Sequence, residues 1–243
     1  MWRYDQDLRR ANRMKYRELD QLMQWVSSKN PCAFVTDLET GAQAFVDADT
    51  VSGELSLSDA QVSGVREMVD ADESRMLQDN NFFVRVHNPP PRLIIVGAVH
   101  IAQALAPIAQ VSGFDVTIID PREAFLSASQ LKPENTFCGW PDEGIKAVKP
   151  DNRTAVVTLT HDPKLDDSAL SAALDSAAFY IGSLGSRKTH AKRIQRLKSE
   201  GISDDELARI HGPVGLDIGA KTPAEIAISI MAEVIECHRN IAS

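Results

Sequence analysis

Arg92-Leu93-Ile94-Ile95-Val96-Gly97-Ala98-Val99-His100-Ile101-Ala102 is the stretch that decides the fold. A short apolar run rich in β-branched residues stops at a glycine, and apolar residues at helical spacing follow, so a buried strand turns into a helix. Dinucleotide-binding α/β domains place G-x-G-x-x-G, or a closing Ala, at this turn. Gly97 supplies the tight turn, and Ala102 is small enough for close packing of helix on sheet. Val99 stands where the middle glycine would be, and its side chain obstructs a pyrophosphate approaching the backbone. The helix start still offers N–H groups to an anion, which makes Gly97 and His100 candidate cofactor-binding residues.

Downstream, Val116-Thr117-Ile118-Ile119 reads as a second strand ending in Asp120. An acid about 20 residues after the fingerprint is placed to accept from a ribose 2′-hydroxyl, and Arg122 beside it would suit a 2′-phosphate. Strands over 155–159 and 178–181 follow, with a helix after the first of these that ends near Leu174 and helices over 187–199, 204–210 and 223–238. Strands alternating with helices imply a Rossmann-like parallel sheet flanked by helices. Upstream, Asn88-Pro89-Pro90-Pro91 cannot lie within a helix, and it divides a domain at 1–87 from one at 88–243. The first is a small α+β unit: an amphipathic helix over Asp5–Val26, strand-like runs at 32–36, 43–46 and 53–57, and a helix capped by Ser58 that runs to about Glu73.

Composition narrows the function. A net charge of −8 excludes a general nucleic-acid binder, which needs a dominant basic surface. No stretch approaches the roughly 20 apolar residues that span a bilayer, and no signal peptide is evident, so a cytoplasmic location is expected. Cys32, Cys138 and Cys237 are too scattered for a disulfide framework or a metal set. Packed thiols are expected at all three. No G-x-S-x-G elbow supports nucleophilic catalysis, so no catalytic residue and no metal ligand is assigned.

Three loops carry the remaining chemistry. Gly182-Ser183-Leu184-Gly185-Ser186-Arg187-Lys188 follows a strand and opens a helix. Glycines there let the backbone fold around an oxyanion, and Ser186 can cap the helix or donate to a ligand. Arg187 and Lys188 oppose the helix dipole, and a bound anion would explain them. Lys192, Arg196 and Lys198, further along, read as a solvated face. His211-Gly212-Pro213-Val214-Gly215-Leu216-Asp217-Ile218-Gly219-Ala220 precedes the last helix, whose Thr222-Pro223-Ala224-Glu225 is a capping box. Asp217 could accept from pterin N–H groups or merely stabilise a turn, and His211 could contact phosphate. His161 lies at the carboxyl end of a strand, where open α/β sheets bind ligands, although His161-Asp162-Pro163 also begins an ordinary turn.

The segments at 89–109, 113–123, 156–170, 179–197 and 208–234 together resemble, in order, the xanthine dehydrogenase accessory (XdhC/CoxI) family. The last two, FYIGSLGSRKTHAKRIQRL and ARIHGPVGLDIGAKTPAEIAISIMAEV, are the most diagnostic. The resemblance implies a chaperone that supplies molybdenum cofactor (molybdopterin) to xanthine dehydrogenase or a related molybdenum hydroxylase, with a cysteine desulfurase as a further candidate partner. The family's first domain usually carries a glycine-rich stretch ending in Gly-Cys. Here Val51-Ser52-Gly53-Glu54-Leu55 has no cysteine, and the domain looks shortened.

The resulting expectation is a cofactor carrier that makes no bond itself, using Gly185, Ser186, Arg187, Lys188, His211 and Asp217, with Gly97, His100, Asp120 and His161 nearby. Its rival is an NAD(P)-dependent oxidoreductase with His161 or Tyr180 as proton donor. A third reading is an assembly module in which the leading helix forms a homodimer seam.

Overall fold

The computed structural model describes residues 30–78, 81–127 and 135–240. The helix expected over Asp5–Val26, and the dimer seam assigned to it, lie outside them. The described residues fall in two compact units that divide between Pro89 and Pro90.

In the first unit β1 (Cys32–Asp37) is flanked by β2 (Gln43–Asp47) and β5 (Phe82–His87). β3 (Val51–Gly53) and β4 (Arg75–Met76) complete an antiparallel sheet in the order β3-β2-β1-β5-β4. The third strand is Val51–Gly53 rather than 53–57, because Gly53 takes a φ of 129° and ends the pairing. Helix α1 (Asp59–Asp70) starts at a Ser58–Gln61 capping box. Its Val65 and Met68 cover the sheet face made by Ala33, Val35, Ala44, Val46, Val84 and Val86.

The second unit is a six-stranded parallel sheet. Its strands are β6 (Arg92–Val96), β7 (Asp115–Ile119), β8 (Thr136–Phe137), β9 (Thr154–Thr158), β10 (Tyr180–Ser183) and β11 (Ile210–His211). They lie in the order β11-β10-β9-β6-β7-β8, so the chain winds outward one way from β6 and then returns to wind the other way. That doubly wound order puts a switch point between β6 and β9, where a crevice forms outside the strand ends. Residues alternate between two cores. Leu93, Ile95, Val116, Ile118 and Val157 meet α2 (His100–Val111) and α8 (Pro223–Asn240). Ile94, Val96, Ile119 and Val156 meet α4 (Pro141–Val148), α5 (Pro163–Leu174), α6 (Arg187–Ser199) and α7 (Asp204–Leu207). A short α3 (Glu123–Ser127) follows β7. The helix expected over 204–210 stops at Leu207, because Ile210 and His211 pair with Ile181 and Gly182 as an edge strand. Among the described residues no helix is long and apolar enough to cross a membrane.

Candidate functional site

At the switch point the local chemistry is largely internal. Gly97 has a φ of 106°, and a Cβ there would lie 2.8 Å from Thr160 Cγ2 and 3.2 Å from Thr160 N. The glycine is therefore required by the neighbouring loop, whatever binds above it. Asp120 is fully buried, and its Oδ2 accepts the Ala98 N–H at 2.8 Å. The Arg122 guanidinium grips both its oxygens at 2.8 Å, and the Arg122 N–H adds a bond of 2.9 Å. Burial alone would raise the Asp120 carboxyl, but these donors hold it below the ordinary carboxylate range. The acid whose spacing predicts a ribose contact thus clamps the end of β6 to the end of β7. His100 is exposed at the first position of α2, behind Val99, which gives that helix no side-chain cap. His161 is exposed and held at a φ of 63°, an uncommon conformation for a non-glycine residue.

A buried ion pair joins this crevice to the next loop. Thr160 donates its N–H and its hydroxyl to Asp166 Oδ1, at 3.2 and 2.6 Å. Arg193 Nη2 lies 3.7 Å from Asp166 Oδ2 and donates to the Leu184 carbonyl at 2.9 Å. Both side chains are almost wholly buried, so desolvation raises the Asp166 carboxyl and lowers the Arg193 guanidinium. Asp166 Oδ2, Arg193 Nε and Nη1, and His190 Nδ1 are buried without a hydrogen-bond partner among the described residues. Arg196 does not stand on a solvated face: it grips Asp167 with two hydrogen bonds, at 2.6 and 3.0 Å. Lys192 and Lys198 are exposed as expected of a solvated face, and Lys198 pairs at the surface with Asp204 at 2.6 Å.

Beyond that pair lies a cavity of about 470 Å³, walled by Leu184, Gly185 and Arg187 on one side and by residues 213–220, Ile226 and Ser229 on the other. Gly185 takes a φ of 146°. Ser186 caps α6 by accepting the Thr189 N–H at 3.1 Å. Arg187 Nη2 comes within 3.9 Å of Asp217 Oδ2, although both side chains are about nine-tenths exposed (89% and 90%). Lys188 is exposed and does not line the cavity. Opposite, Gly215 touches α8 so closely that a Cβ would meet Ser229 Oγ at 2.4 Å. The Gly215 N–H donates to Glu233 Oε2 at 2.7 Å, and Leu216 N–H donates to the Ser229 carbonyl at 3.2 Å. The amides of Gly185, Asp217, Gly219 and Ala220 have no acceptor among the described residues. Thr222 and Glu225 form the expected capping box ahead of α8.

Residues 93–234 match the XdhC Rossmann domain family. The chain belongs to that family. It is 32% identical over 162 residues to Escherichia coli K12 YqeB, an uncharacterized protein, covering 65% of this chain and 29% of that one. A Bacillus subtilis 168 relative, named as a probable subunit of xanthine dehydrogenase, is 32% identical over 166 residues, covering 68% and 48%. To the molybdenum cofactor insertion chaperone PaoD of E. coli K12 it is 36% identical over 146 residues, covering 60% and 40%. The chain thus spans less than half the length of these relatives. A crystal structure from Bacillus halodurans, described as a xanthine dehydrogenase, superposes with a TM-score of 0.68 at 25% identity, covering 92% of this chain and 64% of that one.

In this XdhC-family chain the structure gathers Gly185, Arg187 and Asp217 at one cavity, with Ser186 as the helix cap beside it. Gly97, His100, Asp120 and His161 surround the switch point. His211 does not line the cavity; its Nδ1 lies 3.2 Å from Glu233 Oε1, and its ring lies 4.5 Å from that of Tyr180. Tyr180, the other candidate proton donor, is buried with its hydroxyl donating to Glu233; burial and that carboxylate push its pKa above the ordinary value. Cys138 is exposed rather than packed, and Cys32 is buried as expected. Asp166, Arg193 and Glu233 escape a reading of the sequence alone. The first two interrupt faces that are otherwise apolar, and Glu233 sits one turn from the small residue Ser229; that is the only sequence signal they give.

Proposed function

We propose that this chain is an accessory protein that holds a molybdopterin-type cofactor at the strand-tip cavity and passes it to a molybdenum hydroxylase such as xanthine dehydrogenase. The observation that carries this reading is the cavity between the Leu184–Arg187 and 213–220 loops, in the two segments most diagnostic of the family. Its size falls within the range of small-molecule sites, roughly 300–1,000 Å³. Unbonded amides at Gly185, Gly219 and Ala220, with Arg187 beside them, suit the phosphate of such a cargo. Leu184, Val214, Leu216 and Ile226 offer apolar walls to a flat pterin, and the Asp217 carboxylate can accept its N–H groups. Two relatives carry names that agree with this chemistry, one a molybdenum cofactor insertion chaperone and the other a probable component of xanthine dehydrogenase. Among the described residues no cysteine lines the cavity. A sulfur-donating partner such as a cysteine desulfurase would therefore act on the cargo, not through a thiol here. Among the described residues no group of three or more His, Cys, Asp or Glu could hold a metal, so any molybdenum would arrive held by the pterin.

The test is to express the chain in a host that makes the cofactor, purify it, and measure pterin and molybdenum. Co-purification of both, reduced about tenfold in Arg187→Ala, is expected; a protein free of pterin would refute the reading. An NAD(P)-dependent oxidoreductase is disfavoured by the committed Asp120 carboxylate, by Val99 and by the Tyr180–Glu233 bond. Submicromolar NADH or NADPH binding in a fluorescence titration would restore it.

A further inference from the structure

Glu233 lies on α8, a turn beyond the residues that line the cavity, and nothing in its sequence context marks it as functional. Its carboxylate gathers three donors from three separate segments: the Tyr180 hydroxyl of β10, His211 Nδ1 of β11 at 3.2 Å, and the Gly215 N–H of the cavity loop at 2.7 Å. A carboxylate only accepts, so Nδ1 of neutral His211 carries the proton and Nε2 keeps the lone pair. Burial would raise Glu233, yet bonds from His211, Tyr180 and the Gly215 amide bring it below the ordinary carboxylate value. The group is therefore charged at neutral pH in a place that is half-buried. Such a charge persists only where its acceptor capacity is filled.

Two of those donors fix the sheet edge, and the third fixes the loop. Gly215 also packs tightly on α8, with no room for a Cβ beside Ser229. Beyond Gly215 the loop is held by the Leu216 bond to Ser229, an internal Ile218-to-Leu216 bond of 2.9 Å and the exposed Arg187–Asp217 contact, until Lys221 and Thr222 bond to Glu225. We propose that Glu233 is the positioning residue of the cavity: by accepting the Gly215 amide while anchored to Tyr180 and His211, it holds residues 215–220 in the shape that receives the anionic cargo. His211 is then part of the brace, not a phosphate contact. The cargo half of this inference rests on the function proposed above, whereas the loop half does not.

Hydrogen–deuterium exchange on the full chain separates the two. In Glu233→Gln, whose neutral amide oxygen is a weaker acceptor, the bonded amides of Gly215 and Leu216 are expected to exchange about tenfold faster than in the wild type, the difference between a charge-assisted and a neutral bond. In Tyr180→Phe, which removes a donor but leaves the Gly215 bond, the same amides should change less than about twofold, even though overall stability falls. Should Glu233→Gln not fold, Glu233→Asp keeps the charge but withdraws it by one methylene, and it is read in the same way. Unchanged exchange in the Glu233 variants, or equal acceleration in Tyr180→Phe, would overturn the assignment. Pterin retention is measured on the same samples. Loss in the Glu233 variant but not in Tyr180→Phe supports the cargo half, and equal retention in all three rejects it. A wild type without pterin removes the proposed function while leaving the exchange result to decide the role of Glu233.

Discussion

Two glycine turns at the tips of one parallel sheet invite the same reading and turn out to be built for different ends. At Gly97 the side-chain chemistry is internally committed, although the first amides of α2 have no side-chain cap: the amide after the glycine bonds Asp120, Asp120 bonds Arg122, and the glycine itself is forced by Thr160. At the Gly185 turn and the loop facing it, several amides lack acceptors among the described residues, and a guanidinium sits beside them at the surface. A glycine in a strand-to-helix turn reports only that a backbone conformation or a close approach is needed. What distinguishes the second turn is a cavity lined by its own residues and a cation beside it, and by that measure the loop beside β10 outranks the switch point.

Between the two turns stands the Asp166–Arg193 pair, whose disruption should have the largest effect. Arg193→Met leaves a buried carboxylate without its counter-charge and is expected to cost about 3–5 kcal/mol, measured by denaturant unfolding. In that variant Asp166, already raised by burial, is raised further in the folded state than in the unfolded chain. The penalty is therefore full at neutral pH and shrinks as pH falls through the raised folded value toward the ordinary carboxylate range. A cost independent of pH would show that Asp166 is not the group left exposed to the loss. Asp120→Ala comes next, at about 2–3 kcal/mol, because it strands the Ala98 N–H in the core and frees a half-exposed Arg122. Because Asp120 does not line the cavity, this loss of stability should leave pterin retention unchanged.

The β6–α2 unit is legible residue by residue because a β-branched run, a glycine and a helical period agree with one another. Neighbouring elements are not. Phe82-Phe83-Val84-Arg85-Val86-His87 alternates inward and outward as a strand should, yet it abuts three prolines, and its local pattern alone does not reveal that it is a direct partner of β1. The two-residue strands β8 and β11 exist only through bonds to their neighbours, which no local preference encodes. Site residues follow the same division. Of the residues at the cavity, Arg187 stands out in sequence as a cation in the first turn of a helix, whereas Gly185 and Asp217 stand out only as loop residues. Glu233, Asp166 and Arg193 do not stand out, since a charge on a helix reads as a solvated face until a tertiary partner is known. Arg196 misleads in the same way, its partner Asp167 lying 29 positions away in sequence.

Smaller changes probe the open turn. Arg187→Ala should leave stability within about 0.5 kcal/mol, as surface substitutions usually do. Its effect should be on binding, where one charge-assisted contact to phosphate is worth about tenfold in retained pterin. Asp217→Asn is the finest probe because its sign is informative. Asp217 lies 3.9 Å from Arg187 in the open cavity, so an arriving phosphate must compete with it for the guanidinium. If that competition dominates, the substitution should raise affinity for inorganic pyrophosphate about two- to threefold, in keeping with an exposed pair worth less than about 1 kcal/mol. Retention of the complete pterin should fall instead, because the amide offers one acceptor where the carboxylate offered two. Opposite signs for the two ligands would place Asp217 on the pterin side of the cavity and Arg187 on the phosphate side; equal signs would mean that the carboxylate acts on the cation alone.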